Sequence, residues 1–240
     1  MKVSIVARTL FSRFVLFILM AIYFVPFLIL LILPRAWGFE TKFYYWMEYI
    51  FCWIVLKSAF IPISYSGLEN IPHEPAIIVA NHQSSLDIPL IITVLRGRPH
   101  VWTAMKYLMG SPILRFILPK IAVLVDTSSP MAGMRTLLAV IKRVNGTHTD
   151  VVIFPEGGRF GDGKIHDFFA GFVILAKKMN RPVVPIFIKG VREVYAPDSF
   201  WVNYEPMSIT VGKPLIKGEN EQDEIFHDRV YHWFVEQNKE

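Results

Sequence analysis

Residues Phe14 to Leu33 run for twenty positions without a charged side chain, and that stretch limits first what the chain can become. Wound as a helix, twenty apolar residues are about long enough to cover a hydrocarbon core of roughly 30 Å. Such a surface is unfavourable in water unless protein or lipid covers it. Lys2, Arg8 and Arg13 precede the run, and Pro26 is expected to kink it near its middle. No convincing small-x-small cleavage site follows, so the segment reads as a retained anchor and not as a signal peptide. A second apolar and aromatic segment, Phe43 to Ile61, carries Glu48 and Lys57. Those charges favour an interfacial over a spanning position. Residues 1–62 are therefore expected to form an N-terminal apolar two-helix membrane hairpin, which either crosses the bilayer or dips into one leaflet.

Residues 63–240 read as one α/β domain. Short apolar runs recur at Ala76–Ala80, Val101–Met105, Ile121–Val125, Val151–Phe154, Val183–Ile188 and Ser208–Val211. Helical stretches are expected at Ile88–Arg96, Met131–Val144 and Phe168–Lys178, which predicts a β-sheet flanked by helices. The tail from Glu221 to Phe234 has an apolar stripe of Ile225, Phe226, Val230 and Phe234, expected to pack on the core. Hydrophobic residues make up 53% of the chain, an excess concentrated in the N-terminal segments. The single cysteine, Cys52, can make no internal disulfide. A net charge of +5 suits an anionic partner such as membrane phospholipid, a phosphorylated substrate or an acidic carrier. Nucleic acid fits poorly, because no dense basic run is interleaved with aromatics.

Chemistry-bearing residues cluster where the run Ala76-Ile77-Ile78-Val79-Ala80 stops at Asn81-His82-Gln83-Ser84-Ser85-Leu86-Asp87. A β-branched run that ends in polar residues before a new apolar stretch reads as a buried strand turning into a helix start. His82 is suited to removing a proton near neutral pH, and Asp87 to fixing its tautomer. Five residues of helix turn through about 500°, so the two side chains cannot share a helical face. His82 must sit in the turn before the helix, with Asp87 reaching back from the first turn.

A second constellation, Phe154-Pro155-Glu156-Gly157-Gly158-Arg159, follows another apolar run. Its glycines allow close approach of backbone N–H groups, and Arg159 can grip a phosphate. By itself a glycine turn with a surface arginine is weak evidence of a site. Lys106, after Val101–Met105, is a further phosphate-binding candidate. Ser84 and Ser85 lack the flanking glycines of a nucleophile elbow, which disfavours a covalent route. A metal site from His82, Asp87, Glu156 and His166 has no paired-histidine helix motif behind it, and none is expected.

Taken together, Asn81-His82 with Ser84, Ser85 and Asp87, then Phe154-Pro155-Glu156-Gly157 with Arg159, then Pro182-Val183-Val184-Pro185-Ile186, resemble the ordered motifs of the glycerolipid acyltransferases. The similarity is greatest to the bacterial 1-acylglycerol-3-phosphate branch and runs from about residue 60 to 215. Gly158 departs from the family's Thr or Ser, and Val125-Asp126-Thr127 lacks an arginine associated with the phosphate-bearing acceptor. The resemblance implies a mixed β-sheet flanked by helices and a membrane-bound enzyme acylating the sn-2 hydroxyl of a lysophospholipid. It implies His82 and Asp87 as catalytic residues, and Ser85, Lys106, Glu156, Gly157 and Arg159 as substrate-binding ones, the Glu156-Gly157 turn donating to the oxyanion. It also implies acyl-CoA or acyl carrier protein as the thioester co-substrate, no other cofactor, and a bacterial inner membrane location with the site facing the cytoplasm. A non-catalytic membrane adaptor of the same fold is the reading from another class, and the intact His82, Asp87 and Glu156 speak against it.

Overall fold

The computed structural model describes residues 3–126, 128–197 and 199–239, with the backbone alone at Val3, Ile113 and Pro130. Lys2 and Thr127, both weighed in the sequence, lie outside the described residues. Helix α1 spans Val3–Ile32 and passes through Pro26 without ending. Among the described residues it is the one helix long and apolar enough to cross a membrane. Helix α2, Lys42–Ser58, starts at Thr41, whose hydroxyl accepts from the Tyr44 N–H. The two pack antiparallel: Ser12 Oγ donates to the Ser58 carbonyl at 3.0 Å, and Tyr23 OH to the Met47 carbonyl at 3.2 Å.

Only one side of α2 matches the interfacial expectation. Phe43, Trp46 and Trp53 are exposed, whereas Cys52 and Leu56 belong to the same core cluster as the central sheet. Glu48, read in the sequence as a mark of the interface, is turned toward the protein, with about 15% of its side chain exposed. It accepts from Tyr44 OH and lies 3.4 Å from His100 Nε2. Its charge is met by protein, so it signals packing and not exposure.

Seven strands form one sheet in the order β1-β7-β6-β2-β5-β3-β4. They are β1 Ile63–Ser66, β2 Ile77–Ala80, β3 His100–Met105, β4 Ala122–Val125, β5 Asp150–Ile153, β6 Val183–Lys189 and β7 Met207–Val211. Strands β6, β2, β5, β3 and β4 are mutually parallel, and β7 pairs antiparallel with β6. β1, absent from the sequence reading, pairs parallel with β7 through Ile63↔Met207 to Ser66↔Thr210. Its Ile-Ser-Tyr-Ser sequence is largely exposed, so no apolar run marks it.

The remaining helices are α3 Asp87–Leu95, α4 Pro112–Ile121, α5 Pro130–Val144, α6 Gly171–Met179, α7 Val191–Val194 and α8 Asp223–Gln237. Of these, α4 and the short α7 were not anticipated. Alternate residues of β2 face opposite layers, as strand geometry requires. Ile78 and Ala80 pack with Leu90, Ile91 and Leu95 of α3 and with α2, while Ile77 and Val79 pack with Val140, Phe172, Phe226, Val230 and Phe234. In α8 the spacing of four puts Phe226, Val230 and Phe234 on one buried stripe. Ile225 falls outside that stripe and is exposed. Each fully buried side chain of this size contributes about 1.5–3 kcal/mol.

At the amino ends of the strands, Arg98 grips Asp150 through Nε at 3.0 Å and Nη2 at 3.1 Å, and Asp150 also accepts from the Ala76 N–H. This pair, its carboxylate buried and its guanidinium part-exposed, ties β2, β3 and β5 together. It leaves the carboxyl ends of the parallel strands as the edge where loops are free to carry chemistry.

Candidate active site

β2 is fully buried between β5 and β6, so its chain can become accessible only where it leaves the sheet. The residue at that point is Asn81. Its Nδ2 donates to the Ile188 carbonyl at 2.9 Å, and its Oδ1 accepts from the Ile188 N–H at 2.8 Å. The amide thereby takes the place of one more residue of ladder, and the backbone turns out of the sheet.

His82 follows in that turn and α3 begins at Asp87, the arrangement that the five-residue spacing requires. Asp87 is fully buried, and its Oδ2 accepts from His82 Nδ1–H at 2.8 Å, the Gln83 N–H at 2.7 Å and the Ser84 N–H at 2.8 Å. With Nδ1 donating to a carboxylate, the other ring nitrogen, Nε2, is left as the proton acceptor. The imidazole stacks on Phe154 at 4.0 Å between centroids and 14° between planes, and Phe154 stacks in turn on Trp102. Ring plane and tautomer are both fixed. About 17% of the His82 side chain remains exposed.

Phe154 reaches His82 because β5 is the neighbour of β2, in register Ile77↔Val151 to Val79↔Ile153. The loop after β5 therefore lies beside the loop after β2. Glu156 joins them: Oε1 accepts from the His82 N–H at 2.9 Å and Oε2 from the His166 N–H at 3.1 Å. Burial pushes this carboxyl above its ordinary range, and the two N–H bonds pull the other way. Both oxygens are committed to the backbone, so Glu156 orders the loop and does not reach toward a ligand.

Gly157 adopts a φ of +67°, and a Cβ there would come within 2.5 Å of the Phe169 ring. Its N–H donates back to the Phe154 carbonyl at 3.2 Å, so the oxyanion role expected of this turn does not fall to that N–H. Arg159 and Ser85 come together at the surface, Nη1 donating to Oγ at 2.5 Å. The Phe160 N–H donates to the His82 carbonyl at 3.2 Å, a second bond between the loops. Ser84 donates its hydroxyl to the Tyr195 carbonyl at 2.6 Å, which occupies it structurally.

Lys106 stands apart. It is exposed, and its Nζ lies 2.8 Å from Asp126 Oδ2, beside a groove of about 460 Å³ lined by Met105, Tyr107, Val125 and Ser128. Lys106 and Ser128 hold the Asp126 carboxyl well below the usual carboxylate range. The lysine expected to meet a phosphate is thus already paired. His166, the outer member of the metal set considered above, pairs with Asp162 and stacks on Phe160. No group of three metal-ligating side chains converges among the described residues.

Asn81 and Phe154 stand inside the two motifs without a role assigned from sequence, and Tyr195 lies outside both. For Asn81 a signal existed: an amide directly after a β-branched run can bond a neighbouring strand. For Tyr195 none did, since its carbonyl acts by position and not by side-chain type.

The family model described as acyltransferase matches residues 62–189, more than half of the chain, and the chain belongs to that family. It is 28% identical to the 1-acyl-sn-glycerol-3-phosphate acyltransferase of Limnanthes alba over 65% of this chain and 55% of that protein. The protein of the same name from Pseudomonas aeruginosa is 28% identical over 70% of this chain and 65% of its own length. The chain thus spans little more than half the length of the first of these relatives. The crystal structure of the 1-acyl-sn-glycerophosphate (LPA) acyltransferase PlsC from Thermotoga maritima has the same fold. Its TM-score is 0.74 at 21% identity, covering 97% of both chains.

Proposed function

We propose that this protein moves a fatty acyl group from acyl-CoA or acyl carrier protein to the sn-2 hydroxyl of 1-acylglycerol-3-phosphate, forming phosphatidic acid at a membrane surface. The observation that carries the reading is the His82–Asp87 pair, 2.8 Å apart, with the carboxylate buried and the imidazole at the open edge of the sheet. His82 Nε2 takes the hydroxyl proton as that oxygen attacks the thioester carbonyl. The carbon–sulfur bond then breaks, and the departing thiolate takes the proton back from His82. Asp87 stabilises the imidazolium in between, and no acyl-enzyme is needed. Arg159, held by Ser85 at the mouth, is placed to meet the acceptor's phosphate.

The exposed apolar face of α1, which includes Phe14, Phe17, Ile22, Phe24 and Val25, supports attachment to the lipid surface that holds acceptor and product. α1 is tied to the α/β body within its amino-terminal half and just past its carboxyl end. Arg13 Nη2 donates to Tyr195 OH at 3.0 Å, and Lys120 Nζ to the Leu33 carbonyl at 3.4 Å. A helix held within its first half and again just past its end favours lying along one leaflet over projecting through two. A bacterial inner membrane, with the site on the cytoplasmic side, is the setting we assign.

One observation favours a second acceptor. Because Asp126 already neutralises Lys106, the site offers less charge to a phosphomonoester than the motif pattern suggests. Purified full-length protein with acyl-CoA and a panel of lysolipids, read by mass spectrometry, tests both readings. Phosphatidic acid as the dominant product supports the first; preference for a phosphodiester lysolipid overturns it in favour of the second.

A further inference from the structure

β4 is the last strand of the sheet, and a groove of about 660 Å³ opens along it, between the α1–α2 connection, the end of α4 and α5. Its floor is apolar, built from Pro119, Val123 and Ala139, and its rim carries Arg35, Lys142 and Arg143 against one carboxylate, Glu40. Glu40 Oε1 lies 3.2 Å from Arg143 Nε and 3.9 Å from Arg35 Nε. One acid is shared by two guanidiniums while Lys142 stays exposed. Burial and the neighbouring Arg35 both pull the Arg143 guanidinium below its ordinary value, as expected where positive charge exceeds what Glu40 neutralises.

The groove also borders the turn that follows α1, through Arg35 and Glu40. Ile32 and Trp37, on either side of Arg35 in the chain, are 83% and 75% exposed. A tryptophan and an arginine directly beyond a long apolar helix mark headgroup depth at a bilayer surface. Guanidiniums match phosphate oxygens in pairs, and an apolar floor beneath them suits the glycerol and first methylenes of a lipid better than a free ion.

We propose that this groove holds the phosphodiester headgroup of an anionic bilayer phospholipid through Arg35 and Lys142, while Ile32 and Trp37 enter the membrane beside it. Arg143, its side chain 12% exposed and donating through Nη2 to the Lys120 carbonyl at 2.8 Å, backs them by holding Glu40. The site is separate from the catalytic corner: it flanks Ala122 at the amino end of β4, whereas His82 stands at the carboxyl end of the parallel β2. It rests on the membrane-surface part of the function proposed above and not on the acyl transfer itself.

The test is sedimentation of the full chain with vesicles of phosphatidylcholine alone and of phosphatidylcholine with phosphatidylglycerol. The wild type binds the anionic vesicles more tightly. Arg35→Gln and Lys142→Gln each weaken that binding about fivefold, and together about thirtyfold, by the usual strength of a cation at an anionic surface. Binding to phosphatidylcholine alone, which reads the apolar hairpin, stays within twofold. Lys142 is exposed on α5, so K142Q provides a variant whose folding is safe, and circular dichroism checks both. Equal binding of the wild type to the two vesicles overturns the proposal, as does a double variant that keeps the anionic gain. Displacement of wild type from anionic vesicles by millimolar inorganic phosphate at constant ionic strength also overturns it, in favour of a small-anion site. Loss of binding to both vesicles by the wild type would instead sink the membrane reading itself.

Discussion

Replacing Asp87 with Asn separates the geometry of the catalytic corner from its charge. Asp87 Oδ2 takes three donors, from His82, Gln83 and Ser84, and Oδ1 is buried with no partner. Asparagine can place its carbonyl oxygen in the Oδ2 position and keep all three contacts, with its amide group in the Oδ1 position. What disappears is the negative charge beside the imidazolium that forms during proton transfer. For charge centres about 4 Å apart in an effective dielectric near 20, that attraction is about 4 kcal/mol. The two backbone N–H bonds are the same before and during the reaction, so they cancel from kcat. The expected loss in kcat is therefore about a thousandfold, since every 1.4 kcal/mol is about a factor of ten. KM for the lysophospholipid should stay within about threefold, because Asp87 is fully buried and touches no substrate. Asp87→Ala should additionally destabilise the fold by about 1–3 kcal/mol for each of the buried Gln83 and Ser84 N–H groups left unpaired. Steady-state kinetics with acyl-CoA, alongside denaturant melts of both variants, measure these quantities. A D87N enzyme within tenfold of wild-type kcat would refute the assignment of Asp87 as the group that stabilises the imidazolium.

Other consequences follow from groups around that corner. Burial raises the Glu156 carboxyl above its ordinary value of 4.5, so the folded state holds that proton more tightly than the unfolded chain. Its contribution is fully present below about 4.5 and declines as pH rises through the raised value. The stability advantage of wild type over Glu156→Gln should shrink across that window in chemical denaturation; an advantage that grows with pH contradicts the reasoning. Asp150→Ala leaves the Ala76 N–H unpaired and Arg98 with only the Pro72 and Glu74 carbonyls, and should destabilise the domain by about 1–3 kcal/mol, read from thermal or denaturant unfolding. Gly157→Ala combines a positive φ with a Cβ only 2.5 Å from the Phe169 ring. It should lower kcat by displacing the loop that carries Glu156, with His82 modification by diethylpyrocarbonate becoming faster as the loop opens.

How much of this was legible in the sequence depended on whether a feature is local. The β-branched runs of β2, β5 and β6 declare themselves because the middles of those strands are buried on both faces, with polar residues confined to the ends, Asp150 and Lys189. The His82–Asp87 spacing was equally readable, since helix geometry alone requires one residue before the helix and one inside it. That the loops after β2 and β5 are neighbours comes from the β2–β5 pairing, a long-range contact that neither run announces by itself. β1 escaped notice because a four-residue edge strand, mostly exposed, is defined by its partner β7 and not by its composition. Lys106 looked like a free cation because its partner, Asp126, is brought to it only by the pairing of β3 with β4. The oxyanion role expected of the Glu156-Gly157 turn failed at Gly157 for a similar reason. A glycine announces a turn, but not which way its N–H will point.

The central claim is that His82 passes the proton from the acceptor hydroxyl to the departing thiol. Release of free thiol from acyl-CoA by the full chain in lipid vesicles, with and without lysophosphatidic acid, tests it most directly when wild type and His82→Ala are compared. The wild type should show acceptor-dependent release, and His82→Ala a loss of about a thousandfold with vesicle binding retained. Release that does not depend on the acceptor, or a His82→Ala protein within tenfold of wild type, would contradict it.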